Sequence, residues 1–275
     1  MRGELLIIGG KEDKQGDKDI LRHFMDMCGG KGAVVGILTT ATQLPQEVGD
    51  EYAGIFRSLG AKAAEQFHLD TRESAEQPEI LERLKNCAGV FITGGDQVRL
   101  TSILGGTAFY DELRRRWLEE GLPLGGTSAG AAVMSCHMIM SAVETEDEYI
   151  VEMGAGFCFM DDVIIDQHFS QRARFNRLMT AIAHNPQIMG IGIDENTAIW
   201  VRDNGSRFSV LGEHSVTVFD GKKLEYVDTA GQGNHANITV SGVRMHSLAS
   251  GYQFDLKQRE LIMTGIPGGE HHEGQ

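Results

Sequence analysis

The sequence predicts an α/β fold: a three-layer, mostly parallel sheet with helices on both faces, continued by a β-rich C-terminal extension. Three observations predict it. Short β-branched runs alternate with amphipathic stretches through the first two-thirds of the 275 residues. Paired glycines follow several of the apolar runs, as they do where a strand ends in a tight loop. From Thr197 onward the helical spacing disappears and short strands joined by Asp/Asn-Gly turns take over. Strand, helix, strand in repetition means right-handed crossovers and a parallel sheet covered on both sides.

Taken in order, Leu5–Ile8 reads as a buried strand ending in Gly9-Gly10. Ile20, Leu21, Phe24, Met25 and Cys28 have helical spacing, stopped by Gly29-Gly30. A strand at Ala33–Leu38 follows, then a helix lined by Tyr52, Ile55, Phe56 and Leu59. Ile80, Leu81, Leu84 and Cys87 mark a third helix before the strand Gly89–Thr93. A helix around Ala108–Glu120 leads to a short strand ending near Gly126. Thr197–Arg202, Phe208–Leu211 and Val216–Phe219 are the strands of the extension, with turns at Asp203-Asn204-Gly205 and Asp220-Gly221. With no internal repeat or long linker, the expectation is one catalytic domain over residues 1–266 and a frayed tail over 267–275.

Composition narrows the function classes. Apolar residues make up 41% and charged residues 23%, enough for a sizeable core. A net charge of −14 repels nucleic-acid phosphates and anionic lipid and favours cationic partners. No apolar run approaches the ~18 residues that span a bilayer, and the N-terminus lacks a signal-peptide pattern. Cys28, Cys87, Cys136 and Cys158 lie far apart with no CxxC pair. That spacing predicts free thiols in a reducing, cytoplasmic setting, with no zinc site and no disulfide. His271-His272, in the tail, has no ligand partner nearby in sequence and reads as solvated.

Gly126-Thr127-Ser128-Ala129-Gly130 is a G-x-S-x-G sequence after strand-like residues and before Ala131–Met134, good helix material. A sharp strand-to-helix turn of this kind lifts a serine hydroxyl above the sheet, while small flanking residues avoid clashes. Such a serine needs a base and an orienting acid. His168 follows the apolar run Val163-Ile164-Ile165, and Glu195 follows Ile191-Gly192-Ile193, both at the strand ends where α/β sheets gather catalytic groups. His23, His68, His137 and His184 are poorer candidates, falling in helices or early in the chain.

Charge placement adds to this. Between Trp117 and Gln171 there are ten acids and no Lys or Arg; from Gln167 to Ile193 there is no acid, but there are Arg172, Arg174 and Arg177. With Ser170 as an N-cap, Arg172 and Arg174 would occupy a first helical turn, where the macrodipole opposes cations. Arginines held there could grip a carboxylate bidentately. The acid run Glu144–Glu152 is a candidate cradle for a guanidinium. Thr93-Gly94-Gly95-Asp96-Gln97 is a strand-end loop able to turn N–H groups towards a ligand. No G-x-G-x-x-G or Walker sequence is present, so no nucleotide is called for.

Gly9–Lys14, Thr93–Gln97, Gly126–Ala131, Asp166–Arg177 and Gly192–Ala198, in this order, resemble the cyanophycinase family of serine peptidases, a group that also contains aspartyl dipeptidase. The resemblance implies a fold like class I glutamine amidotransferases and hydrolysis of cyanophycin, a poly-aspartate with arginine on each β-carboxyl, to β-Asp-Arg dipeptides. It makes Ser128 the nucleophile, His168 the base and Glu195 its orienting acid. It places Gln97, Asp166, Gln167, Arg172, Arg174 and Arg177 in the substrate pocket. Ala129 with Gly95 or Asp96 would supply the oxyanion N–H groups. A homodimer without metal or organic cofactor is expected. Lys11 departs from the pattern, which has a small residue there. The alternatives are an α-aspartyl dipeptidase and a binding protein on the same scaffold.

Overall fold

A computed structural model of the chain describes residues 1–144, 149–228 and 238–263. The tail expected at 267–275 lies outside the described residues. The first half holds every expected element and two more: β1 (Leu5–Ile8), α1 (Asp19–Met27), β2 (Val34–Leu38), α2 (Pro45–Ser58), β3 (Ala63–Phe67), α3 (Pro78–Lys85), β4 (Gly89–Ile92), α4 (Gln97–Leu104), α5 (Ala108–Arg115) and β5 (Leu124–Thr127). The strand β3 and the helix α4 were not expected. β1, β5, β4, β2 and β3 lie side by side in parallel. Their residues alternate between two cores. Leu5 and Ile7 join the cluster containing Leu84, Leu100, Phe109 and Leu113 from α3, α4 and α5. Leu6 and Ile8 join the cluster containing Phe24 of α1 and Tyr52 and Phe56 of α2. Both faces are thus covered by helices, which is why these strands read as continuous apolar runs.

The C-terminal part is β-rich, as expected, and the structure shows how its strands join the rest. α6 (Ala129–Ala132) is a single turn, and the next strands are the hairpin β6 (His137–Glu144) and β7 (Tyr149–Ala155). His137, expected on the elbow helix, therefore opens a strand. β8 (Val163–Gln167), α7 (Phe175–His184), β9 (Met189–Ile193), β10 (Thr197–Arg202), β11 (Arg207–Gly212) and β12 (Val216–Asp220) follow. The short strands β13 (Tyr226–Asp228), β14 (Thr239–Ser241), β15 (Arg244–Leu248), β16 (Gln253–Asp255) and β17 (Glu260–Ile262) complete the described chain. β10 is no appendage: it runs antiparallel against β1, and β11, β16 and β17 extend the large sheet to nine strands. β8 and β9 pair in parallel within a separate four-stranded sheet, β15-β12-β9-β8. Apolar pattern and length do not distinguish a strand of one sheet from a strand of another.

One further expectation is corrected. Cys136 and Cys158 are joined in a disulfide, 22 residues apart in sequence; Cys28 and Cys87 are free and buried. The bond ties the segment after α6 to the segment after β7, which only the fold brings together. Burial pushes the Cys28 and Cys87 thiols up to about 12, so they are packing groups rather than nucleophiles. Cys136, Cys158 and Asp161 are spaced to hold a metal ion, but the disulfide takes two of those three ligands. Among the described residues, no helix is long and apolar enough to cross a membrane.

Candidate active site

Strand register brings the candidate residues together. Ile8 lies beside Thr127 and Ile92 beside Gly126, so the segments following β1, β5 and β4 leave the same sheet edge together. Ser128 adopts φ 53° and ψ −112°. That conformation costs an L-residue roughly 1–3 kcal/mol and persists where its surroundings hold it. The Ser128 N–H donates to Ile8 O at 3.1 Å, while its carbonyl accepts from the Ala131 and Ala132 N–H groups. The flanking glycines are steric necessities: a Cβ on Gly126 would lie 2.3 Å from Gly130 O, and one on Gly130 2.3 Å from Ile92 O.

His168 and Glu195 leave adjacent parallel strands, where Gln167 pairs with Ile193. Ser128 Oγ lies 2.9 Å from His168 Nε2, and His168 Nδ1 lies 2.7 Å from Glu195 Oε1. His168 also has a positive φ, 49°, and its N–H donates to Gly9 O at 2.7 Å. A Cβ on Gly10 would come within 2.3 Å of the imidazole Cε1, so the second glycine of Gly9-Gly10 exists to seat this ring. Lys11, the residue that departs from the family pattern, places Nζ 3.1 Å from Glu195 Oε1. Asp194, the neighbouring acid, is directed elsewhere: it accepts from the Ser170 N–H and from the Ser215 hydroxyl.

The electrostatics suit a base. Burial lowers the His168 pKa and outweighs the opposing hydrogen bond to Glu195; nearby Arg172 and Arg174 lower it further. Burial raises the Glu195 pKa, but hydrogen bonds from His168 and Lys11 prevail and hold it below the ordinary carboxylate value. The imidazole therefore stays neutral, and able to accept a proton, further into acid than an unperturbed histidine. The acid limb of kcat/KM is expected below the usual ~6.5. Replacing Lys11 with Met should move that limb upward, because Glu195 then stabilises the imidazolium undiluted. A pH profile with its acid limb at 6.5 or above would contradict this assignment of the base.

The oxyanion side is corrected at one position. The Asp96 N–H donates to Ala41 O at 2.9 Å, and the Asp96 carboxylate caps α4 by accepting from the Val98 and Arg99 N–H groups. That removes Asp96 from the available donors. The Ala129, Gly94 and Gly95 amides have no protein acceptor among the described residues. Gly94 faces the serine, its hypothetical Cβ falling 3.8 Å from Ser128 Oγ. Ala129 opens α6, where a helix leaves its first N–H groups unpaired.

The arginine segment also differs from expectation. α7 starts at Phe175, and Ser170 caps nothing: residues 170–174 form a turn with Ala173 at φ 50°. Arg172 therefore lies outside the helix, Arg174 is its N-cap residue and Arg177 falls in its first turn, where the buried Asp166 carboxylate offsets the opposing dipole. Arg177 grips Asp166 with two donors, Nε to Oδ2 at 2.7 Å and Nη2 to Oδ1, within the protein itself. Arg174 donates to Asp166 Oδ1 at 3.3 Å and to Gln167 Oε1 at 2.6 Å. The Asp166 side chain is fully buried. Burial draws the Arg174 guanidinium down to about 10, leaving it charged near neutrality. Arg172 is exposed, and its guanidinium has no hydrogen-bond or ion-pair partner among the described residues. Gln97 Nε2 donates to Ile139 O and Met140 O at 3.0 and 3.2 Å, tying α4 to the hairpin. Of the acid run proposed as a guanidinium cradle, residues 145–148 lie outside the described residues; Glu152 accepts from Ser141 Oγ at 2.6 Å.

A nucleophile-elbow serine hydrogen-bonded through histidine to a carboxylate, on a helix-covered α/β sheet, defines the hydrolase class of this molecule. The family model of peptidase family S51 matches residues 5–208, and the chain belongs to that family. It is 40% identical over 261 residues to a cyanophycinase of Trichormus variabilis, covering 94% of this chain and 87% of that protein. It is 36% identical over 269 residues to a cyanophycinase of Geminocystis herdmanii, covering 97% and 98%. Among solved structures, a peptidase from an acI-B1 actinobacterium shares the fold, with a TM-score of 0.68 at 21% identity, covering 93% of this chain and 97% of that one.

Sequence reasoning missed Glu12, which accepts hydrogen bonds from Tyr52 and Thr127 beneath the elbow. The Gly-Gly-Lys-Glu-Asp-Lys segment was visible, but one buried carboxylate in a polar loop looks like any other until the fold closes over it.

Proposed function

We propose that this chain is a serine-type exopeptidase that hydrolyses cyanophycin to β-Asp-Arg dipeptides. One observation carries the reading: the continuous hydrogen-bonded chain from Ser128 through His168 to Glu195, in a protein whose similar relatives are cyanophycinases. Ser128 Oγ attacks an aspartyl main-chain carbonyl while His168 Nε2 takes its proton. The Ala129 N–H and one from Gly94 or Gly95 hold the oxyanion, a donor contributing about 3 kcal/mol. His168 then protonates the leaving amine. Water, activated by the same ring, releases the acyl group from Ser128. No step requires a metal or an organic cofactor.

Substrate binding divides among the six pocket residues by their free valences. Asp166, Gln167, Arg174 and Arg177 satisfy one another and form the floor, while Gln97 braces the hairpin. Arg172 keeps an unpartnered fork for a substrate carboxylate, and the net charge of −14 attracts a polymer studded with guanidinium groups. A cytoplasmic homodimer belongs to the same reading.

The test is a digest of purified cyanophycin read by mass spectrometry. β-Asp-Arg should accumulate, and Arg172→Lys should raise KM several-fold because the planar fork is lost despite the retained charge. An intact polymer alongside cleaved α-aspartyl dipeptides would replace this function with that of an aspartyl dipeptidase.

A further inference from the structure

Glu12 has a buried side chain that the mechanism above does not use. It is 4% exposed, and its two oxygens receive one hydroxyl each: Tyr52 donates to Oε1 and Thr127 donates to Oε2 at 2.6 Å. Both donors are themselves buried. The two lead in different directions. Tyr52 belongs to α2, packed in the core with Phe56 and Phe91. Thr127 is the residue immediately before Ser128, the last of β5, and paired in register with Ile8.

We propose that Glu12 is a positioning residue for Ser128, acting through the Thr127 hydroxyl. The inference rests on the reading of Ser128 as nucleophile. Ser128 is held in a backbone conformation that L-residues avoid, so its neighbours must over-determine it. On the C-terminal side the α6 amides fix its carbonyl. On the N-terminal side the only side-chain anchor on Thr127 among the described residues is the Glu12 carboxylate, a strong acceptor in a site screened from water. Loop residues Gly10, Lys11 and Glu12 thereby reach all three members of the triad in sequence. Gly10 seats His168, Lys11 pairs with Glu195, and Glu12 steadies the peptide that carries Ser128.

A carboxylate that merely filled the core would depend equally on both hydroxyls. A positioning residue depends on one of them. The experiment compares T127V, T127S, Y52F and E12Q. It measures kcat and KM, melting temperature, and the rate at which an alkyl phosphonofluoridate labels the serine, the Ser128 oxygen bonding phosphorus as fluoride leaves. T127V and E12Q are expected to lower labelling rate and kcat together by about ten- to a hundred-fold, since small misplacements cost that much, with KM little changed. T127S keeps the hydroxyl and should stay within a few-fold of the wild type. Y52F should lose as much thermal stability as T127V yet label within about twofold of the wild type. Should E12Q fail to fold, the threonine pair against Y52F decides alone. Equal slowing in Y52F and T127V, or normal labelling of T127V, overturns the inference. A wild-type protein that takes no label at all fails the nucleophile reading first, and the inference falls with it.

Discussion

Ser128→Ala is expected to leave the fold intact and remove essentially all hydrolysis, a loss of at least ~10⁴-fold, because the bond-forming oxygen is gone. His168→Ala should be nearly as damaging, and the double variant barely worse than either. In the proposed mechanism the three groups, with contacts of 2.9 and 2.7 Å, act as one chain, so breaking it once should forfeit most of what it contributes. Glu195→Gln should slow turnover severely as well, since an amide cannot stabilise the imidazolium as a carboxylate does. Steady-state rates on cyanophycin, with circular dichroism to establish folding, check the set. A folded Ser128→Ala protein retaining more than a few per cent of the rate would sink the serine mechanism. A near-normal Glu195→Gln protein would sink only the assignment of the acid.

The second large effect falls on stability. Asp166→Asn should destabilise the protein by roughly 3–5 kcal/mol, the usual result of removing one partner from a buried ion pair. Its carboxylate is fully buried and serves two guanidinium groups that are themselves largely enclosed. An amide of the same shape cannot balance either charge. For a chain of this size the shift corresponds to a melting temperature lower by about 10 °C. A shift under 2 °C would mean that Arg174 and Arg177 find other partners, and that the network is looser than its geometry implies. Under the proposed substrate reading activity should fall too, because Arg174, which binds Asp166, also holds Gln167.

The parallel half of the fold was legible where a strand is a short apolar run, as in β1, β2 and β4, and where a helix shows an apolar stripe; β3, Ala63-Ala64-Glu65-Gln66-Phe67, carries no such run and escaped. β1 at Leu5–Ile8 and β10 at Thr197–Arg202 lie where the pattern put them. The candidate triad was legible for a related reason: the elbow has local steric demands that leave a signature, and both partners follow apolar strands. What escaped depended on long-range pairing. The Cys136–Cys158 bond joins segments that periodicity cannot bring together. Ser170 resembles a helix cap, yet the Asp194 carboxylate from across the site holds its amide and keeps the turn non-helical. Asp96 was read as an oxyanion donor and proved to be a cap, a distinction set by where the Ala41 carbonyl sits. Nothing local marks β8 and β9 as members of a second sheet.

That second sheet carries a practical lesson for anyone wishing to heat-harden the molecule. Ser128 follows a strand of one sheet while His168 and Glu195 follow strands of another, so the Ser128–His168 contact spans a seam. One apolar core joins strands of both sheets, so better packing against either reinforces both without tightening the contact at the seam itself. Close to the triad the seam is crossed by the His168 amide on Gly9 O, the Asn196 amide on Gly10 O, the Asp13 amide on Asn196 Oδ1 and the Lys11–Glu195 ion pair. Engineering effort is best spent there, on rigidifying the Gly9–Lys14 loop as a clasp, rather than on enlarging the shared core.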